Sequence, residues 1–509
     1  PVHTFSTMAG PTTTSTPNPA PEFVALIVAA TSGARLYPLS SPSYPKHLLP
    51  VAGVPLLVRQ LQVLAACGFS ECVVALAHDD QTYTATALKE VEGIVAQESS
   101  TSSYLFQKSL LVTLHQLSEE CSGTMEALRT IEEASVFSSP KSHVVVLPGD
   151  LVLTDKTVLE QLANTHRQGN LGSSATGITT HFNDTTSKCA CTMLLADVGE
   201  VDVNGVPLKE SAKAKKNGLS REEDQIEYIA LSSDDTRNTN APRVIWKQSK
   251  IDVEEDEDMV GSTPKLVLPK PRLRGGVTRV RTDWHDVHVY VLSPWVRQLA
   301  AARPSLVSIK GDLIPLLVDS QFHGVASAFG SKEEAKEIFN ATFGGAPGAV
   351  GDGDNSDTTA DAVLSFAVRA QVFDGSKVMR ACTLPAYLVA CRELVTMALT
   401  DEASKTNICL KLPKEAALNT KFNSVVMKGA VLGEKNQIRS SVVGSGTKLG
   451  AKCKLNNAVI MNSTTMGDNV ILQNAVVGEN CVIGENCSLS YVRVGHGKTI
   501  PAGTKVKGD

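Results

Sequence analysis

Several features are scarce in this 509-residue chain, and each scarcity excludes something. Aromatic residues are only 5% of it, and no apolar run approaches the about eighteen residues that a membrane-spanning helix needs. Basic residues are not in excess: 48 Lys and Arg face 53 Asp and Glu, for a net charge of −5. A general nucleic-acid or membrane-surface binder needs a basic face, so neither partner is expected. The 11 cysteines include no CxxC pair, and the pair at Cys189 and Cys191 has no second half at zinc-ligand spacing. Scattered cysteines in a large chain indicate reduced thiols in a cytosolic protein, with no disulfide or metal site. Residues 1–21 carry no Lys or Arg and no apolar stretch, which excludes a secretory signal or an Arg-rich transit peptide. Their Thr, Ser and Pro content predicts a disordered tail, and the opening on Pro1 points to Met8 as the true start.

What is present is organised around Phe23 to Val51. An apolar run, Val24 to Ala30, is followed by small residues, Gly33, Arg35 and the Pro45-Lys46 pair. A first strand feeding a small-residue loop is how a doubly wound α/β sheet presents a phosphate site at its strand ends. Pro55 to Phe69 has helical apolar spacing, and Glu71 to Ala77 reads as a second strand, which completes a βαβ unit. Gly123-Thr124 opens a helix after a glycine turn. His143 to Leu147 is a buried strand ending in Pro148-Gly149-Asp150, so a carboxylate stands at the ligand-binding edge of the sheet. The charged segments between Val203 and Pro264 (basic from Lys209, acidic from Asp252) and the Gly-rich residues 330–360 read as flexible insertions.

Near the C-terminus, aliphatic residues recur at Val426, Leu432, Ile438; Val443, Leu449, Leu455; Ile460, Met466, Leu472; Val477, Ile483, Leu489; and Val494, Ile500, Val506. The steps are six, six and five, a period of 17 repeated five times. A six-residue step fits one side of a triangular coil, with an aliphatic residue inside and a Gly or Asn at a corner of positive φ. The pattern predicts a hexapeptide β-helix of five coils whose flat faces and open edges suit partner binding. The expected order is a disordered tail over 1–21, an α/β domain over 22–395, a linker over 396–421 and a β-helix over 422–509.

With both halves in view, the chain resembles the sugar-phosphate nucleotidyltransferases. Within them it is similar to the gamma subunits of eukaryotic translation initiation factor 2B, with a hexapeptide left-handed β-helix. The residues that carry the resemblance are the Arg35-Leu36 and Pro45-Lys46 signature, Thr282 to Leu292, Ser308 to Phe322, Thr383 to Leu388 and the 17-residue period. The implied fold class is α/β plus all-β: a Rossmann-like nucleotidyltransferase domain followed by the β-helix. The related epsilon subunits carry a helical domain beyond the β-helix, whereas this sequence ends at Asp509.

Where that family has A-G-G-x-G-T-R-L, this chain reads Ala29-Ala30-Thr31-Ser32-Gly33-Ala34-Arg35-Leu36. Arg35 and Lys46 match the family's phosphate-neutralising positions, and Asp150 its Mg²⁺ carboxylate. Against the family's W-x-D-I-G-T-P-x-x-Y stands Val378 to Tyr387, with Arg380 in place of the second metal carboxylate. Against N-A-G-I-Y stands Asp286 to Tyr290, with His288 in place of glycine, and no E-K-P motif is found. The expected pocket comprises Gly33, Arg35, Lys46, Gly123, Thr124 and Asp150; these either hold a nucleotide weakly or persist for folding. No metal, no obligatory cofactor and no catalytic residue are expected.

The reading that follows is a non-catalytic subunit supporting guanine-nucleotide exchange in translation initiation. Its partners would be the epsilon and other subunits of initiation factor 2B, and initiation factor 2 through its gamma subunit. The alternative is an active sugar-phosphate nucleotidyltransferase resembling GDP-mannose pyrophosphorylase. Acyl transfer is disfavoured because the repeat's single histidine, His496, lies in the last coil and reads as a surface residue.

Overall fold

The computed structural model describes residues 20–30, 33–41, 43–77, 80–89, 94–96, 103–107, 109–118, 121, 123–171, 188–198, 225–232, 242–251, 279–323, 325–329, 366–400, 407–413 and 415–508. Phe23–Val28, buried at every position after the first, is the middle strand of a nine-stranded sheet. Its runs of Val, Ile and Leu suit a strand covered on both faces. One neighbour is Glu71–Leu76, reached through the helix Leu56–Ala66; the other is His143–Pro148, and both pairings are parallel. Chain order therefore diverges on either side of the first strand, which makes its carboxyl end a topological switch point, where ligands bind in open α/β sheets. Beyond His143–Pro148 the sheet continues through Trp284–Leu292, Lys188–Asp197 and Phe366–Asp374. Beyond Glu71–Leu76 it continues through Leu110–Gln116 to the antiparallel edge strands Ser103–Phe106 and Ile94–Ala96. A hydrophobic cluster covers each face.

The stretch read as an insertion near 203–264 contains two strands. Glu227–Leu231 and Val244–Ser249 pair antiparallel, and Arg279–Arg281 joins them in a three-stranded sheet. Both strands are short and separated by polar sequence, which hides their period. The charged blocks themselves, residues 330–360 and most of the N-terminal tail (1–19) lie outside the described residues. No helix among the described residues is long and apolar enough to cross a membrane.

The C-terminal repeat forms three parallel sheets in which each strand pairs with the one seventeen residues on, such as Leu455 with Leu472 and Leu472 with Leu489. Interior aliphatics of the middle coils, such as Val443, Leu472 and Val477, are fully buried. The end coils lack a neighbour on one side, and Leu432 and Val506 are 41% and 44% exposed. Positive-φ corners are filled by Asn469, Asn474, Asn480, Asn486 and others. The glycines that follow the aliphatics serve a different purpose from the corner role expected of them. A Cβ on Gly450 would stand 2.6 Å from the Gly467 backbone of the next coil, so these positions are small because the coils approach so closely.

The first β-helix sheet packs Val425, Val442, Val459 and Val476 into a cluster shared with Leu36, Leu39, Val51 and the helix Leu384–Thr400. His496, read from sequence as a surface residue, completes this joint. Its ring stacks on Tyr44 with centroids 3.7 Å apart, Nδ1 accepts the Glu479 N–H (3.0 Å) and Nε2 faces the Leu39 carbonyl (2.8 Å). That pattern requires the neutral tautomer with the proton on Nε2. Burial lowers the imidazole pKa, so the neutral ring's contribution is complete above the unfolded value of about 6.5 and is lost as pH falls through the lower folded value. His496→Ala should lower stability by about 1–2 kcal/mol at pH 8, from one hydrogen bond and one ring stack. In urea melts the gap between wild type and variant should close as pH drops from 8 towards 5; a gap independent of pH would contradict this role for His496.

Candidate functional site

The phosphate-loop segment is shaped by Gly33 and Lys46. Gly33 takes φ 65°, and a Cβ there would meet Ser40 Oγ at 2.9 Å and Lys46 Cβ at 3.1 Å, so both conformation and space demand glycine. Lys46 follows Pro45, opens the single turn Lys46–Leu48 and is buried at the mouth of the sheet. Asp150, 0% exposed, lies just beyond the strand His143–Pro148. The next strand, Leu151–Leu153, pairs antiparallel with Val378–Arg380, with Arg380 opposite Leu151, and the Ala381 N–H donates to the Asp150 carbonyl at 2.9 Å. This register delivers the Arg380 guanidinium to the Asp150 carboxylate. Arg380 Nε reaches Oδ1 and Nη2 reaches Oδ2, both at 2.9 Å, while Lys46 Nζ reaches Oδ2 at 2.8 Å. Burial alone would raise the Asp150 pKa, but Arg380 and then Lys46 outweigh it and hold the carboxyl far below the usual carboxylate range. Burial likewise opposes the charge on Arg380, and Asp150 more than restores it.

A second polar group borders the same cavity. Lys247 Nζ is 2.6 Å from Glu227 Oε1 and 3.3 Å from Asp286 Oδ2, and Lys310 Nζ is 3.4 Å from the same Glu227 oxygen. Tyr290 Oη donates to Asp286 Oδ2 at 2.8 Å. Burial would raise the Asp286 pKa, but the Lys247 and Lys310 ammoniums, with the His288 backbone N–H, hold it well down. Burial would lower that of Lys247, but Glu227 and Asp286 raise it. His288 holds φ 60° with its N–H on Asp286 Oδ1 (2.8 Å), and burial together with Arg380 keeps its imidazole neutral. Glu227 Oε2 is buried without a hydrogen-bond partner.

Both groups border one cavity of about 670 Å³ at the switch point, whose wall includes Lys46, Lys247, Lys310, Arg380, Glu227 and Thr124. Four cations against the three carboxylates Glu227, Asp150 and Asp286 leave one net positive charge, with His288 neutral. Of the six residues expected from sequence, Lys46 and Thr124 line this wall, and Asp150 is bound to it through Lys46 and Arg380. Gly33, Arg35 and Gly123 are not in the lining. Thr124 Oγ1 accepts the Ile309 N–H at 2.8 Å, and a Cβ on Gly123 would stand 2.1 Å from the Val307 carbonyl, so this pair braces the segment that carries Lys310. Arg35 sits in the turn Ala34–Leu36, where its carbonyl accepts from Arg493 of the β-helix at 3.1 Å. Sequence reasoning missed Glu227, Lys247 and Lys310; the available signal was a lysine closing the apolar run Val244-Ile245-Trp246-Lys247.

These residues do not fit a divalent metal at Asp150. Its two oxygens carry three short contacts from two cations, and among the described residues no three His, Cys, Asp or Glu side chains cluster to hold a metal. The pair is also a stability element. Asp150→Asn leaves Arg380 and Lys46 facing a neutral group, which should cost about 3–5 kcal/mol at pH 7. Because the folded carboxyl pKa is depressed, the wild-type advantage is complete above the unfolded value of about 3.9 and is lost as pH falls through the folded one. Urea midpoints of the two proteins should therefore converge only below about pH 4; equal midpoints at pH 7 would contradict the pairing.

Comparison with protein families finds two matches. Residues 24–187 match the model described as nucleotidyl transferase, and residues 420–507 match the one described as the GMPPB C-terminal domain. The first agrees with the Rossmann-like fold class. The second overturns the resemblance to the gamma subunits of initiation factor 2B and points to a GDP-mannose pyrophosphorylase-type protein. With that resemblance fall its consequences: the place in translation initiation and guanine-nucleotide exchange, the expectation of a chain without catalysis, and the partnership with the epsilon and other factor 2B subunits and with initiation factor 2. Missing loop glycines and a cation at a metal-carboxylate position read as lost catalysis in sequence, whereas the fold gathers Arg380 and Lys46 around Asp150.

Proposed function

We propose that this chain is a sugar-phosphate nucleotidyltransferase of the GDP-mannose pyrophosphorylase type. The observation that carries this reading is the cavity at the switch point, where Lys46 and Arg380 face the Lys247–Glu227–Lys310 group; the two family matches support it. Phosphoryl-type transfer depends chiefly on positioned charge, and the cavity supplies it. A triphosphate seated near Lys46 and Arg380 would have its charge drawn off by an ammonium and a guanidinium, both already ordered by Asp150. A sugar 1-phosphate beside the second group would meet Lys310 and Lys247, while the unpartnered Glu227 Oε2 accepts from a sugar hydroxyl.

In the transfer, an oxygen of the sugar phosphate bonds to the α-phosphorus. The bond from that phosphorus to the β-bridging oxygen breaks, and its electron pair leaves on pyrophosphate. The attacking oxygen is already anionic, so no general base is required. Purified protein given GTP and mannose 1-phosphate should release pyrophosphate. Lys46→Ala should lower kcat/KM by about 10²–10³-fold, the usual loss for one preorganised electrostatic donor. Absence of pyrophosphate release across the four common nucleoside triphosphates and a panel of hexose 1-phosphates would sink this reading.

A further inference from the structure

We propose that the nucleotide's phosphates are bound here without a divalent cation, with Arg380 in the place a metal would take. The resemblance implies two metal carboxylate positions; here one of the two carries Arg380 and the other is Asp150. The antiparallel pairing of Arg380 with Leu151 fixes the guanidinium against that carboxylate, with two contacts at 2.9 Å, and Lys46 adds a third at 2.8 Å. A dication entering at Asp150 would have to displace both cations and take their place against one buried carboxylate. It would also approach two fixed positive charges in a site where water screens poorly. A polyanion meets the opposite balance. Asp150 uses one charge of the pair, Arg380 and Lys46 both line the cavity, and one net positive charge faces the ligand; Lys247 and Lys310 are balanced by Glu227 and Asp286. Arg380 has further N–H donors beyond the Nε and Nη2 that bind Asp150, so it can grip a phosphate without leaving its partner. The carboxylate thus orients the cations for the phosphate. This inference takes its ligand from the nucleotidyltransferase reading, and its claim about the metal stands apart from turnover.

The test is calorimetric titration of the full chain with GTP, once in excess EDTA and once in excess Mg²⁺. Binding in EDTA should be at least as tight as in Mg²⁺, because Mg²⁺ withdraws free GTP as its chelate and competes with Arg380 and Lys46 for the phosphate oxygens. Arg380→Gln should weaken binding in EDTA by about tenfold or more, because a charged donor to phosphate is lost. Arg380→Asp, which restores a second carboxylate, should bind GTP only when Mg²⁺ is present. Binding that disappears in EDTA and returns with Mg²⁺ overturns the inference, as does no GTP binding in either buffer. Wild-type affinity in Arg380→Gln overturns it too. If either Arg380 variant fails to fold, the wild-type comparison decides the matter alone. GTP bound in EDTA, with no pyrophosphate released from any sugar phosphate, would remove the transferase reading and leave the metal-free site standing.

Discussion

The buried contact among Asp150, Arg380 and Lys46 is the constraint on which the rest of this structure depends. It joins three segments far apart in sequence: the loop after the first strand, the edge after the strand His143–Pro148, and the short strand Val378–Arg380. A buried carboxylate without partners would protonate or destabilise the fold; a guanidinium buried alone would be worse. Together they hold one another charged, and they close the switch point from behind. The cavity has a polar, cationic back wall because these charges satisfy each other first.

The β-helix contributes to the same site from outside. Its first sheet shares a core with Leu36, Leu39 and the helix Leu384–Thr400, and its last coil holds the Arg35–Leu39 segment through Arg493 and through His496, which the Glu479 N–H fixes from the coil before. The loop that precedes Lys46 therefore rests on a rigid stack, where free loops usually have few fixed contacts. Geometry at the phosphate end is set by two independent scaffolds, the parallel sheet and the coil stack. A disturbance of the last coil has a direct route to the loop beside Lys46.

Much of this architecture was legible in the sequence, for reasons that differ by element. The strands Phe23–Val28 and His143–Pro148 and the 17-residue coil period follow from local hydrophobic spacing, which a single sequence records faithfully. The position of Arg380 was legible too, but its meaning was not: a cation at a metal-ligand position reads as damage until its pairing with Asp150 is known. Glu227, Lys247 and Lys310 come from three segments that only tertiary folding assembles, so no spacing rule could group them. His496 has no local signal for its stack on Tyr44. The segments Thr282 to Leu292, Ser308 to Phe322 and Thr383 to Leu388, together with the coil period, describe an architecture that unrelated activities share, so they do not reach a particular assembly.

A double-mutant cycle over Arg380→Gln and Asp150→Asn tests the central constraint most directly. Unfolding free energies of wild type, both single variants and the double variant, taken at pH 7, yield the coupling between the two side chains. Close charged partners in one network typically couple by about 0.5–3 kcal/mol, and burial places this pair at the upper end. The double variant should be far less destabilised than the sum of the singles, with a coupling of about 2 kcal/mol or more. Losses that simply add would show that Arg380 and Asp150 do not depend on each other, and would contradict that constraint.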